Sequence, residues 1–211
     1  MTTHPATGGT AAESAYYGGA GIGTGGLQEG DIIELTVTLA GGQVTATGGA
    51  GTVACGAGIG IGGGNYGDVR FTLTISDGVV VATGGAGTEA GGAGIGAGGT
   101  STRCDISVAA ALSGGQVTAQ GGSGTSTGAG VDSSLIISPA AGWNIEAKAG
   151  ENEAAAKALS GSPFAPGTQT DVTAQVQDKA YFATKAQKLP DKEKTAQNTG
   201  DTQKQNPKTG V

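Results

Sequence analysis

A repeat of 36–37 residues constrains this chain more than any other feature. GAGIG-type segments place Ile22, Ile59 and Ile95 at steps of 37 and 36 residues, and Val131 follows after another 36. A second marker keeps the same step: VTATGG at 44–49, VVATGG at 80–85 and VTAQGG at 117–122. Upstream of each lies an alternating run, LTVTL at 35–39, FTLTI at 71–75 and VAAAL at 108–112. Two independent markers in one phase mean that a single structural unit recurs, so each unit must bury its apolar face against its neighbours.

Every unit then holds three β-like pieces: the short Gly-Ile-Gly, the LTVTL run and the VTAT run. Strict alternation sets Leu35, Val37 and Leu39 on one face and Thr36 and Thr38 on the other. Short joints separate the second and third pieces: Ala40-Gly41-Gly42-Gln43, Ser76-Asp77-Gly78-Val79 and Ser113-Gly114-Gly115-Gln116. They supply residues that tolerate positive φ. Two architectures fit. In a hairpin array the LTVTL and VTAT runs pair within a unit. In a β-solenoid each strand pairs with its counterpart one coil away. A free hairpin is marginal and would leave the third strand idle. The solenoid is therefore the expected fold: an all-β, right-handed parallel β-helix of about 36–37 residues per coil, with a C-terminal cap and a disordered tail.

Composition agrees. Glycine accounts for 44 of the 211 residues and aromatics for 4%. So little bulk cannot fill a wide core, whereas small aliphatic groups can fill a narrow bore. Glycine does not fall at every third position, which excludes collagen. The net charge of -6 and the lack of a basic stripe exclude nucleic acid as a partner. Neither a secretory apolar region nor a run long enough to span a membrane is present in the sequence.

Residues 1–17 read as an N-terminal linker or the start of a fragment, and residues 18–142 as the glycine-rich repeats. In a shorter fourth unit, Leu135-Ile136-Ile137-Ser138 and Asn144-Ile145-Glu146-Ala147 are expected as the second and third strands. Residues 143–185 bring the large apolar groups Trp143, Phe164, Tyr181 and Phe182 and are expected to cap the stack. Within the cap, EAAAKAL at 153–159 suits a short helix and VTAQV at 172–176 a strand. Residues 186–211, rich in Lys, Gln, Asp and Thr, are expected to form a solvated, extended tail.

The VTATGG and GAGIGxGG units resemble the glycine-rich repeats of surface proteins from clostridial-type Gram-positive bacteria. SGSPF at 160–164 and YF at 181–182 resemble the segment that follows the repeats there. This resemblance covers roughly 18–185 and implies a pectate-lyase-like right-handed β-helix. Asn206-Pro207-Lys208-Thr209-Gly210 resembles the NPKTG variant of the sortase sorting signal. It implies attack by a sortase thiolate on the Thr209–Gly210 carbonyl and transfer of the acyl group to a cell-wall amine. Pro207 favours the extended form by restricting Asn206. A full signal would continue beyond Val211 into an apolar span and a basic tail.

Other candidate sites are sparse. Asp31, Asp68 and Asp105 recur at steps of 37 and would form a column of carboxylates, for which calcium is the candidate cation. The simpler role for each is an Asx-type turn before a strand. Threonine ladders at Thr36/Thr38, Thr45/Thr47 and Thr72/Thr74 could order water, but threonine is also an ordinary strand residue on a solvent face. Cys55 and Cys104 fall in different phases, so free buried thiols are expected in preference to a bridge. No cofactor and no catalytic residue are assigned. Within the repeats the cations are Arg70, Arg103 and Lys148, and a periodic Asp column is not the local break in pattern that an active site makes. The expected function is an extracellular, cell-wall-anchored structural or adhesive module. Its partners are sortase and peptidoglycan, with a host or bacterial glycan as ligand. The alternative is a carbohydrate-binding or polysaccharide-degrading β-helix.

Overall fold

The computed structural model describes residues 3–8, 17–25, 31–64, 67–99 and 106–190. Alternating apolar and threonine residues make long strands, and glycine makes the close-packed corners between them. In chain order the elements are β1 (Thr3–Thr7), β2 (Ile22–Gly23), β3 (Asp31–Thr47), β4 (Ile59–Gly60), β5 (Gly67–Thr83), β6 (Ile95–Gly96), β7 (Ile106–Leu112), β8 (Gln116–Gln120), β9 (Val131–Asp132), β10 (Ser134–Ile137), β11 (Trp143–Gly150), β12 (Lys157–Ala158), β13 (Thr170–Asp171), α1 (Thr173–Val176) and β14 (Tyr181–Lys188). The protein is all-β, and α1 is a single turn.

Successive units lie parallel, each strand beside its counterpart. Leu35 faces Phe71, which faces Val108. Val44 faces Val80, which faces Val117. The short strands make a second sheet in the order β2-β4-β6-β9, with Ile22, Ile59, Ile95 and Val131 in one column. The pairing thus runs between units, not within them, and the hairpin alternative is not what the chain adopts. β3 and β5 run through their joints, where Gly42 and Gly78 take φ of 80° and 96° and the register shifts around Ala40.

The apolar columns are the core. Val69, Phe71, Leu73 and Ile75 are buried, with at most 1% exposed, as are Leu112, Val117, Leu135 and Ile137. Full burial of such side chains contributes about 1.5–3 kcal/mol each. The opposite faces carry Thr36, Thr38 and Thr72, which are exposed.

The glycine segments form a second core in which backbone packs on backbone. The amide of Gly49 donates to the carbonyl of Gly19 at 2.8 Å, and the amide of Gly56 to the carbonyl of Gly49 at 2.9 Å. The zigzag continues through Gly85 to Gly56, Gly92 to Gly85, Gly122 to Gly92 and Gly128 to Gly122, all at 2.8–2.9 Å. Backbone approaches backbone so closely that a Cβ on Gly56 would overlap the carbonyl group of Gly19. Glycine is required here for proximity, and the segments are packed interior, not loose loops.

The two ends of the stack differ. At the C-terminal end the large sheet becomes mixed. β14 pairs antiparallel with β8, β11 pairs antiparallel with β14, and β13 pairs antiparallel with β10. The segment around Asn144–Ala147 therefore does not stack on β8 as the third strand of a fourth unit. β14 takes that seat, and Phe182 enters the core opposite Ala119 with 0% exposure. The second strand of that unit is where the alternation puts it, since β10 lies parallel to β7. Trp143, expected to cap the stack, is instead 38% exposed, while Phe164, Tyr181 and Phe182 are buried. Two further expectations fail. The EAAAKAL segment makes turns and β12 because Lys157–Ala158 are drawn into pairing with β11. VTAQV is the turn of helix α1, entered where Asp171 Oδ1 accepts from the amide of Thr173 at 2.9 Å, with Val172 and Val176 both turned inward.

At the other end, β1 lies parallel to the VTAT part of β3, Thr7 opposite Thr47. HPATGG at 4–9 is thus an earlier copy of VTATGG, and Thr3–Thr7 is a stacked strand, not a linker. The amide of Gly8 donates to the carbonyl of Thr47 at 2.8 Å. By the alternation of a parallel ladder this turns the nitrogen of Pro5 outward, where no donor is needed.

Candidate functional site

A broad concavity lies where the C-terminal strands join the stack. Its floor is the outward face of β8, β14 and β11. Thr118, Ala183 and Lys148 form one cross-strand row, and Gln116, Lys185 and Glu146 form the next. The small Ala183 makes the centre of the floor low. Glu153, Ser162 and Pro163 make the wall, enclosing about 580 Å³. The wall is pinned where the amide of Ala147 donates to Ser162 Oγ at 3.0 Å.

The groove mixes apolar surface with polar groups and carries both signs of charge. Lys148 Nζ sits 5.6 Å from the centre of the Tyr181 ring. Burial pushes the Tyr181 hydroxyl above its usual range, the Glu153 charge adds to this, and a hydrogen bond with Thr118 opposes it. Such a surface suits a hydroxyl- or amide-rich ligand held by hydrogen bonds.

A second concavity of about 430 Å³ is lined by Ser107, Asp132, Ser133, Ser134, Thr173 and Gln177, among others. Asp132 is an exposed residue, but partial desolvation of its carboxylate, and then the charge of Asp178, raise it from its ordinary value. Near Trp143 a smaller cleft of about 130 Å³ brings the exposed indole beside Ser76, Asp77 and Ser113.

The Asp column is not formed between its first two members. Asp31 lies opposite Gly67, and Asp68 lies opposite Ile32. The ladder steps by 36 residues here, set by Leu35 against Phe71, so a spacing of 37 falls one residue out of register. Asp68 is exposed, and Asp105 lies outside the described residues. Among the described residues no three metal-ligating side chains cluster. Cys55 is fully buried and free, with its thiol 3.4 Å from the carbonyl of Gly51. Burial raises its pKa, which disfavours the thiolate. Cys104 and the sorting segment 206–210 lie outside the described residues.

The groove was not visible in the sequence. Glu146, Lys148, Thr118 and Lys185 are dispersed, and only the insertion of β14 between β8 and β11 brings them together. No family model, no curated protein and no solved structure matches the chain.

Proposed function

We propose that this protein is an extracellular, wall-anchored β-helix of right-handed, pectate-lyase-like type that serves as a non-catalytic structural or adhesive surface module. The observation that carries the reading is the in-register parallel stacking of units around a buried glycine zigzag. Such a stack grows by length and needs no large core, which suits a stiff spacer presenting its faces at fixed intervals. Resemblance to clostridial-type surface repeats supports the same reading. The anchor is the segment 206–210: a sortase thiolate attacks the Thr209 carbonyl, releases the amine of Gly210 and passes the acyl group to a wall amine. The test is transpeptidation of a chain bearing the complete signal. A sortase should join it to an amine nucleophile, and Thr209→Ala should abolish joining. Equal joining of that variant removes the anchor from the reading.

The carbohydrate-binding alternative has its own support in the exposed Trp143 beside Asp77 and Ser113, because an indole face stacks on sugar rings. Retention on glycan arrays without release of reducing ends distinguishes binding from cleavage, and Trp143→Ala should lose that retention.

A further inference from the structure

At the N-terminal end of the stack the described strands cover only part of β3. β1 covers the Gln43–Thr47 part of β3, but no described strand lies beside the 31–40 part. The side chains report the vacancy. Ile33, Leu35, Val37 and Leu39 are only partly buried. Their counterparts one unit on, Val69, Phe71, Leu73 and Ile75, are at most 1% exposed.

The backbone reports it too. The amide of Ser113 donates to the carbonyl of Ile75, and that of Ser138 to the carbonyl of Leu112. Following this alternation back through β5, the odd residues of the 31–40 part face β5. The amides and carbonyls of Ile32, Glu34, Thr36 and Thr38 then face the open edge. The edge has no proline and no bulge before Ala40, whereas the neighbouring edge of β1 is blunted by Pro5.

We propose that this edge is a strand-accepting seat for a parallel strand of the repeat's own second-strand type, with an apolar residue at every other position. Its occupant is fixed by what surrounds it. β1 already occupies the third-strand seat of the same layer, in parallel. The cover that buries the counterparts is always a parallel alternating strand, as β3 does for β5. The apolar side chains of the occupant would continue the columns of Leu35 and Val37, and its backbone would take the outward amides.

The experiment adds the peptide VRFTLTIS, the sequence of 69–76, to the whole chain and follows amide hydrogen exchange. At peptide tenfold above its dissociation constant, exchange at Ile32, Glu34, Thr36 and Thr38 should slow about elevenfold. The same residues in the order VFRTLITS, which breaks the alternation, should give no protection. A nitroxide on the peptide N-terminus should broaden the signals of Ile32 and Ile33, not those of Leu39 and Ala40, as parallel pairing requires. Thr36→Pro removes an amide that the fold itself does not use and should abolish protection while leaving thermal melting in place. The two wild-type peptide arms decide the matter even if that variant fails to fold. Protection by both peptides or by neither, an antiparallel nitroxide pattern, unchanged binding to Thr36→Pro, or the same protection from the chain's own self-association would each overturn the proposal.

Discussion

Replacing Gly85 by alanine is the sharpest test of the backbone core. Gly85 is buried, donates to the carbonyl of Gly56 and accepts from the amide of Gly92, both at 2.9 Å. A Cβ there would overlap the carbonyl of Gly49 and stand 3.0 Å from that of Gly48. These neighbours are backbone, so no side chain can rotate away. To admit the methyl group the two segments must part, which strains or breaks both hydrogen bonds. Leaving buried peptide groups unpaired costs about 1–3 kcal/mol each, and overpacking adds about 1–3 kcal/mol. The expected loss is about 3–9 kcal/mol, set against a total stability of about 5–15 kcal/mol for ordinary domains. Gly25 is the control: a Cβ there meets nothing within 4 Å, so Gly25→Ala should leave stability unchanged or raise it by about 0.4–1 kcal/mol. Urea unfolding followed by far-ultraviolet circular dichroism measures both. A Gly85→Ala variant within about 1 kcal/mol of the natural chain would show that the glycine zigzag is not tightly packed interior.

Two further predictions separate covered from open layers and locate a charge. Leu73→Ala should cost about 2–5 kcal/mol, as for a fully buried leucine, and Leu35→Ala roughly half of that, because Leu35 is only partly buried; equal losses in urea melts would contradict an open end. Asp132 binds its proton more tightly in the folded than in the unfolded chain, because partial desolvation and Asp178 disfavour its charge. Its contribution is complete below the unfolded value of about 3.9 and is lost as pH rises through the folded value. Asp132→Asn should therefore raise the melting temperature at neutral pH, with the gain vanishing near pH 3. A gain independent of pH would refute that cause.

The stack was legible in the sequence because its two periods are local. The step of 36–37 and the alternation within LTVTL, FTLTI and VTAT both survive as register and burial. What failed did so where one residue of phase or one long-range pairing decides. Asp31 and Asp68 are 37 apart, yet the strand that carries them is locked at 36 by Leu35 on Phe71. HPATGG is out of phase with the repeat because more residues separate it from the next copy, so Thr7 meets Thr47 at a step of 40 and not 36. The groove depends on β14 entering between β8 and β11, and nothing in the local pattern of YFATKAQK says whether it pairs with one strand or two, or in which direction.

That insertion also explains why the two ends of the molecule behave differently. A parallel stack of identical layers has no internal reason to stop, since each layer presents the same columns and the same outward amides. At the C-terminal end the direction of pairing reverses. β14 brings Phe182 into the bore and then Lys185, Gln187 and Lys188 along its length, so a further repeat strand would meet antiparallel neighbours and the wrong spacing. At the N-terminal end the strands stay parallel, and among the described residues of β1 and β3 Pro5 is the one proline. The direction of pairing thus distinguishes the groove end from the strand edge at Asp31–Ala40 proposed above as a seat, and the groove is a consequence of how β14 closes its end of the stack.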